Sequence, residues 1–407
     1  MKIIYPHSKR LQKIYERQFI NGRIQERVKR IVEEVRIFGD EALIKYTRKF
    51  DKLKLNPKQL RVSDIEINAA YQNISHDFIN SLKLIVENIT RFYSKQLRKP
   101  FRIKDNEGVC IGQEYRPLER IGVYIPAGSA PLISTVYMTV IPAKVAGVKR
   151  IALATPPDKN GNINPYILAV ADLLKVDEIY RIGGAQAIAA FAFGTKSIPR
   201  VDKIFGPGNI YVTEAKRQVF GFVDIDMLAG PTELVIIANR FSNLDFIVAD
   251  LKAQAEHLGG LCILITNSRK MAQQIQAKAE GYSGYIIITK NLEEAVEITN
   301  RIAPEHLEIL VNNPKKILKK IKNASAIFLG QFSPSAVGDY IAGPSHVLPT
   351  QGTARFFSGL SIFEFLKKIH WINYSKKGLE KIKEPLYKIA SLEGMKKHLE
   401  SVEIRLM

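Results

Sequence analysis

From residue 122 to residue 329 the chain alternates short apolar runs with helix-patterned stretches, and no other feature constrains its fold as strongly. Runs at 122–125, 151–154, 178–182 and 203–205 read as strands, separated by helical stretches over about 134–146, 167–174 and 185–193. A second block repeats the texture, with runs at 234–238, 262–266, 285–288, 308–311 and 326–329 and helices over about 244–257 and from residues 271 and 292. A strand buried on both faces reads as a continuous apolar run, and a helix between two such strands returns the chain so that they lie parallel. The sequence therefore predicts an α/β protein of two doubly wound, incomplete Rossmann-like domains.

The flanks differ. The first 120 residues read mainly as helices, with apolar periodicity over 28–46 and 78–92, and the tail after about residue 365 reads as a polar helical arm carrying the only tryptophan, Trp371. The expected organisation is an N-terminal arm over 1–22, a catalytic α/β domain from 23–121 and 234–364, a dinucleotide domain over 122–233, and a C-terminal arm over 365–407.

Composition narrows the class. Lysine and arginine number 60 against 40 acidic residues, a net charge of +20 that raises nucleic-acid binding as a question. Over 314–322 and 376–388, however, the lysines fill the polar positions of amphipathic helices, and no recognition motif accompanies them, so the reading is no nucleic-acid partner. With two cysteines, Cys110 and Cys262, neither a disulfide framework nor a Cys-based zinc cluster is indicated, which suits a reducing cytoplasm. No run approaches a membrane span, and the N-terminus lacks a signal-peptide apolar core.

Chemistry concentrates in a few places. The stretch from Gly338 to Thr350 sets Asp339 and His346 among backbone-shaping glycines and prolines. Gln254 and His257, three apart near a predicted helix end, share a face, and with Asp339 and His398 they form a nitrogen and oxygen set that suits zinc. Glu305 and His306 follow Pro304 just before a predicted strand, a carboxylate that can activate water beside an imidazole that can exchange protons. Three glycine-rich loops, around Gly128, Gly183-Gly184 and Gly206-Pro207-Gly208-Asn209, follow strands; none is G-x-G-x-x-G, but together they favour a dinucleotide or phosphate ligand.

Read in order, Gly206-Pro207-Gly208-Asn209, Gln254-Ala255-Glu256-His257, Pro304-Glu305-His306-Leu307-Glu308, Val337-Gly338-Asp339-Tyr340, His346-Val347-Leu348-Pro349-Thr350 and Glu393-Gly394 with His398 resemble histidinol dehydrogenase over nearly the whole chain. The resemblance implies oxidation of L-histidinol to L-histidine in two NAD-dependent steps through a bound aldehyde. It implies one zinc ion per subunit held by Gln254, His257, Asp339 and the His398 of a homodimer partner, so that the C-terminal arm completes the neighbouring site. It assigns proton transfer to His306 and water activation to Glu305. Substrate contacts fall to Thr232, Gln254, His257, His306, Asp339, His346, Glu393 and His398, and the NAD site to Tyr124, Gln186 and Asn209. Thr232 stands where the family has serine, Ser345 where it has asparagine, and Leu258-Gly259-Gly260 replaces an acidic continuation, which touches the surrounding contacts and not the reaction.

Overall fold

A computed structural model describes residues 1–17, 22–128, 130–257 and 259–407. These form two compact units, one of residues 1–96 with 118–364 and a smaller one of 97–117 with 365–407.

The larger unit holds both expected parallel sheets. The first has five strands in the spatial order Glu178–Arg181, Arg150–Thr155, Arg120–Tyr124, Lys203–Phe205, Asp224–Ile225. The chain steps outward from Arg120–Tyr124 through two strands, then returns to place Lys203–Phe205 on its other side. Right-handed crossovers put the helices Ile133–Ala146 and Pro165–Leu173 on one face and Gly184–Phe193 on the opposite one. The reversal leaves a crevice beyond the carboxyl ends of Arg120–Tyr124 and Lys203–Phe205, where such sheets bind ligands.

Helices Gly22–Phe38 and Asp40–Phe50 also belong to this sheet. Val28, Ile31, Val32 and Val35 form one apolar stripe packed with Ala185, Ile188, Ala189 and Ala192, in a core shared with Ala152 and Ala154. For these two helices the packing departs from the expected grouping of 23–121 with the other half, whereas Asn88 and Tyr93 of the same stretch do bond to Ile341 and Leu360. A stripe at helical spacing says that a face is buried but not against what. The helical periodicity read over 28–46 spans two helices, separated at Gly39, whose φ of +51° lies in the left-handed region.

The second sheet has six parallel strands in the order Lys2–Ile4, Tyr285–Ile288, Leu261–Thr266, Glu233–Ala238, His306–Ile309, Ala326–Leu329. Alternation divides it cleanly. Val235, Ile237, Ile263, Ile265 and Ile287 pack on one face with the helix Leu292–Ile302, while Leu234, Ile236, Cys262, Leu264 and Ile286 pack on the other with Leu244–Ala255 and Arg269–Lys278. Residues expected to form an N-terminal arm over 1–22 start by supplying an edge strand; residues 18–21 of that arm lie outside the described residues.

The smaller unit corrects the expectation of an all-helical tail. Leu366–Asn373 is a strand, paired antiparallel with Cys110–Pro117, which pairs in turn with Phe101–Lys104. Helices Lys376–Leu392 and Lys396–Glu403 come only after it. The strand escaped notice because it is largely exposed and its lysines mask any alternation. It is held by cross-strand contact: Trp371 lies so close over Gly112 that a Cβ there would come within 2.6 Å of the indole. Over 314–322 only Pro314–Leu318 is helical. Both cysteines are free, and among the described residues no helix is long and apolar enough to cross a membrane.

Candidate functional site

The six-stranded sheet gathers the singled-out side chains at the amino ends of its strands, opposite to the usual ligand edge of a parallel sheet. Thr232 precedes Glu233–Ala238, His257 precedes Leu261–Thr266, and Glu305 precedes His306, the first residue of His306–Ile309. Register aligns His306 with Leu234 and Glu308 with Ile236, so both side chains project to the face covered by Leu244–Ala255.

His306 is the hub. Its Nδ1 lies 3.6 Å from Glu305 Oε2 and its Nε2 3.4 Å from Asp339 Oδ1. Burial works against a charged ring, but the two carboxylates outweigh it and hold the His306 pKa above the ordinary histidine value. Burial pushes the Glu305 carboxyl up; its Oε2 accepts from the Glu233 N–H at 2.8 Å. Asp339 moves the other way: burial opposes its charge, yet His306 foremost, then His346 and His257, hold it below the usual range. His346 is fixed at both ring nitrogens, Nδ1 at 2.8 Å from the Asp339 carbonyl and Nε2 at 3.1 Å from Thr135 Oγ1, and burial lowers its pKa. The arrangement is a buried proton acceptor between two carboxylates of unlike environment, suited to passing protons to and from a bound alcohol or water.

Beside it, the Gln254 side-chain amide donates to Thr232 Oγ1 at 2.8 Å, which leaves its amide oxygen for another partner. The hydroxyl of Thr232, at the position where the resemblance expects serine, thus accepts from Gln254. His257 is not on the helix as expected: Leu244–Ala255 ends first, and His257 sits on the bend beyond, exposed. Gly260 passes so close that a Cβ there would stand 3.0 Å from Gln254 Nε2, while Leu258 lies outside the described residues. Ser345 closes its own turn, accepting from the Val347 N–H. Among the described residues no group of three His, Cys, Asp or Glu side chains stands ready to hold a metal. Of the four expected ligands Gln254 is an amide, and His398 lies in the smaller unit on Lys396–Glu403, with Glu393 at the end of the preceding helix. The donor types still fit a zinc ion: an amide oxygen, a carboxylate and an imidazole close enough that His257 acts on the charge of Asp339.

Sequence reading missed three supports. Glu233 takes a bidentate ion pair from Arg17, at 2.7 and 2.8 Å, and accepts from the Gln351 N–H, anchoring the backbone N–H that holds Glu305. Thr135 comes from the helix Ile133–Ala146 of the other sheet, a contact no local pattern announces. The third is a carboxyl pair: Glu308, fully buried, accepts from the Ser335 N–H at 2.7 Å and lies beside Asp250, and its pKa is raised by burial and then by the Asp250 charge.

A glutamate that holds its proton more tightly folded than unfolded stabilises the fold fully at low pH. That stability is lost as pH climbs from the ordinary glutamate value near 4.5. Glu308→Gln keeps the acceptor for Ser335 and supplies a donor towards Asp250. The expected result is a thermal midpoint about 2–4 °C above wild type at pH 8 and little change at pH 5. Calorimetric scans at both pH values check it; equal shifts at the two would show that the carboxyl proton is not responsible.

The expected dinucleotide residues meet at the other sheet. Tyr124, Gln186 and Asn209 line one cavity of about 470 Å³ beyond the carboxyl ends of its strands, together with Gly128 and Gly183-Gly184 of the glycine-rich loops; Ser129 lies outside the described residues. Asn209 caps the helix Ile210–Val219, its side-chain oxygen accepting from the Tyr211 and Val212 N–H groups. Gly206 is fixed at both ends of its backbone: its N–H donates to Asp226 at 2.7 Å and its carbonyl accepts from Lys216 at 2.9 Å. Its φ is +107°, and a Cβ there would stand 2.1 Å from the Tyr124 carbonyl oxygen, so only glycine fits.

Comparison with known proteins gives consistent findings. The histidinol dehydrogenase family model matches residues 16–406. Histidinol dehydrogenase of Clostridium acetobutylicum is 47% identical over 98% of this chain and 96% of its own length. That of Bacillus cereus is 45% identical over 100% of this chain and 99% of its own. The crystal structure of histidinol dehydrogenase from Elizabethkingia anophelis superposes with a TM-score of 0.93 at 40% identity, covering 100% of this chain and 98% of that one.

Proposed function

The chain belongs to the histidinol dehydrogenase family, and from that premise we propose that it is a cytoplasmic enzyme that oxidises L-histidinol to L-histidine through histidinal, the last step of histidine biosynthesis. The observation that carries this reading is His306, buried between the Glu305 and Asp339 carboxylates at 3.6 and 3.4 Å. His306 takes the proton of the substrate hydroxyl as the carbinol carbon gives up hydride. Glu305, its basicity raised by burial, takes a proton from the water that hydrates the aldehyde, and His306 accepts the second hydroxyl proton when the hydrate is oxidised. Asp339 and His346 keep the ring and its neighbours in place.

Two groups are implied by this reading. One zinc ion per subunit would be held by Gln254, His257, Asp339 and the partner subunit's His398, and when bound it anchors the imidazole and amino nitrogens of the substrate. NAD would occupy the cavity of Tyr124, Gln186 and Asn209, and when bound it accepts the hydride. Thr232 orients the Gln254 amide, and Glu393 offers a carboxylate to the substrate's positive charge. A homodimer is supported by the uncovered apolar residues of the smaller unit, among them Leu392 and Ile404, each at least 70% exposed. No nucleic acid or membrane enters the proposal.

NADH counted against histidine tests the reaction: two are formed per histidine. Turnover of a different polar alcohol, such as a sulfonated diol, in preference to L-histidinol would favour a related dehydrogenase instead. Metal content tests the ligand set independently. Elemental analysis is expected to find about one divalent ion per subunit, and chelation to abolish turnover that zinc or manganese restores. His257→Asn should lose metal on dialysis that wild type retains; full activity in metal-free protein would refute the ligand set.

A further inference from the structure

In the cavity that the cofactor reading assigns to NAD, Asp51 has no structural reason to be an acid. It ends the helix Asp40–Phe50, where unpaired carbonyls already make the local potential negative and an acid is disfavoured. Its Oδ2 is sealed from solvent with no hydrogen-bond donor, and no ion pair to it is found among the described residues. Burial alone pushes its pKa up, to about 6, with nothing offsetting it. An acid retained against helix polarity and desolvation, on the wall of a ligand cavity, points to a donor that arrives with the ligand.

Its surroundings say which donor. Phe50, the residue before it, and Tyr211 both line the cavity, and the Arg27 guanidinium lies over both rings, at 5.5 and 5.1 Å from their centroids. Arg27 also donates to the Tyr211 hydroxyl at 3.3 Å. Two aromatic rings tied together by one cation make a platform for a flat base. A carboxylate one residue along the chain then stands beside the sugar attached to that base. A vicinal ribose diol brings two hydroxyl donors to a carboxylate, whereas a phosphate ester on the same sugar brings negative charge against it in a desolvated place. Resting on the NAD reading of this cavity, we propose that Asp51 accepts hydrogen bonds from the adenosine ribose hydroxyls and thereby selects NAD over NADP.

Binding of NADH and NADPH to the purified full-length protein, followed by the fluorescence of the reduced nicotinamide, tests this. Wild type is expected to bind NADH more tightly by about two orders of magnitude, and Asp51→Asn to bring the two within about tenfold of each other, mainly by weakening NADH. Arg27→Met should weaken both ligands alike, since Arg27 ties together the two rings of the base platform that both ligands share. A change made on the ligand avoids any question of folding: 2′-deoxy-NADH should bind wild type about tenfold more weakly than NADH, with no further loss in Asp51→Asn. If Asp51→Asn leaves the NADH to NADPH ratio unchanged, or if 2′-deoxy-NADH binds wild type as NADH does, the assignment of Asp51 is overturned while the cavity remains a cofactor site. If wild type binds neither NADH nor NADPH, the cofactor reading itself falls and takes this inference with it.

Discussion

His306→Asn is expected to lower the overall reaction by about 10²–10⁴-fold, and to impair oxidation of L-histidinol and of supplied histidinal alike. A proton must leave a hydroxyl in each oxidation, and the proposed mechanism assigns it to His306, buried between two carboxylates. Glu305→Gln divides the two steps. The amide is isosteric, and its oxygen still accepts from the Glu233 N–H, so the strand start keeps its geometry. The glutamine has no basic lone pair for a water proton. Oxidation of histidinal, which needs a hydrated aldehyde, should therefore fall far more than the first hydride transfer from histidinol. Single-turnover measurements on each substrate separate the steps. Equal damage to both by Glu305→Gln would remove the division of labour.

The second large effect is recovery of lost activity. Glu305 lies in the larger unit and His398 in the smaller, and the dimer proposal pairs Glu305 of one chain with His398 of its partner. In a two-fold dimer built from one Glu305→Gln chain and one His398→Asn chain, one site then carries both defects and the other carries neither. Random pairing makes about half the dimers mixed, and each regains one of its two sites, so roughly a quarter of wild-type histidine formation should return from two nearly inactive parents. If the smaller unit serves its own chain, every site in the mixture carries one defect and no recovery is seen. Subunit exchange followed by assay distinguishes these outcomes, because the parents assayed apart set the baseline.

The first prediction rests on residues legible in the sequence, because a histidine next to a glutamate after Pro304 carries its chemistry in its identity, whereas the partner role of His398 in the second comes from the family resemblance. The strands were legible for a related reason. A strand buried on both faces has no room for polar side chains, so Leu234 to Ala238 and Ile151 to Ala154 announce themselves as apolar runs, and the helices between them can return only as parallel crossovers. That much of the architecture follows from local hydrophobic pattern.

What local pattern lacks is the partner of each face. The stripe of Val28, Ile31 and Val35 could have covered either sheet, and only its fit against the small residues from Ala185 to Ala192 placed it on the first. Leu366–Asn373 shows no buried alternation of its own and exists as a strand because Cys110–Pro117 lies beside it. The site follows the same rule. Residue identity showed that Glu305, His306, Asp339 and His346 could do proton chemistry. Tertiary structure decided that they meet at the amino ends of the strands, that Arg17 and Thr135 brace them, and that Asp51 closes a helix where helix polarity disfavours it. Such facts depend on contacts between residues distant in sequence, and their energies arise from burial and charge that exist only once the chain has folded.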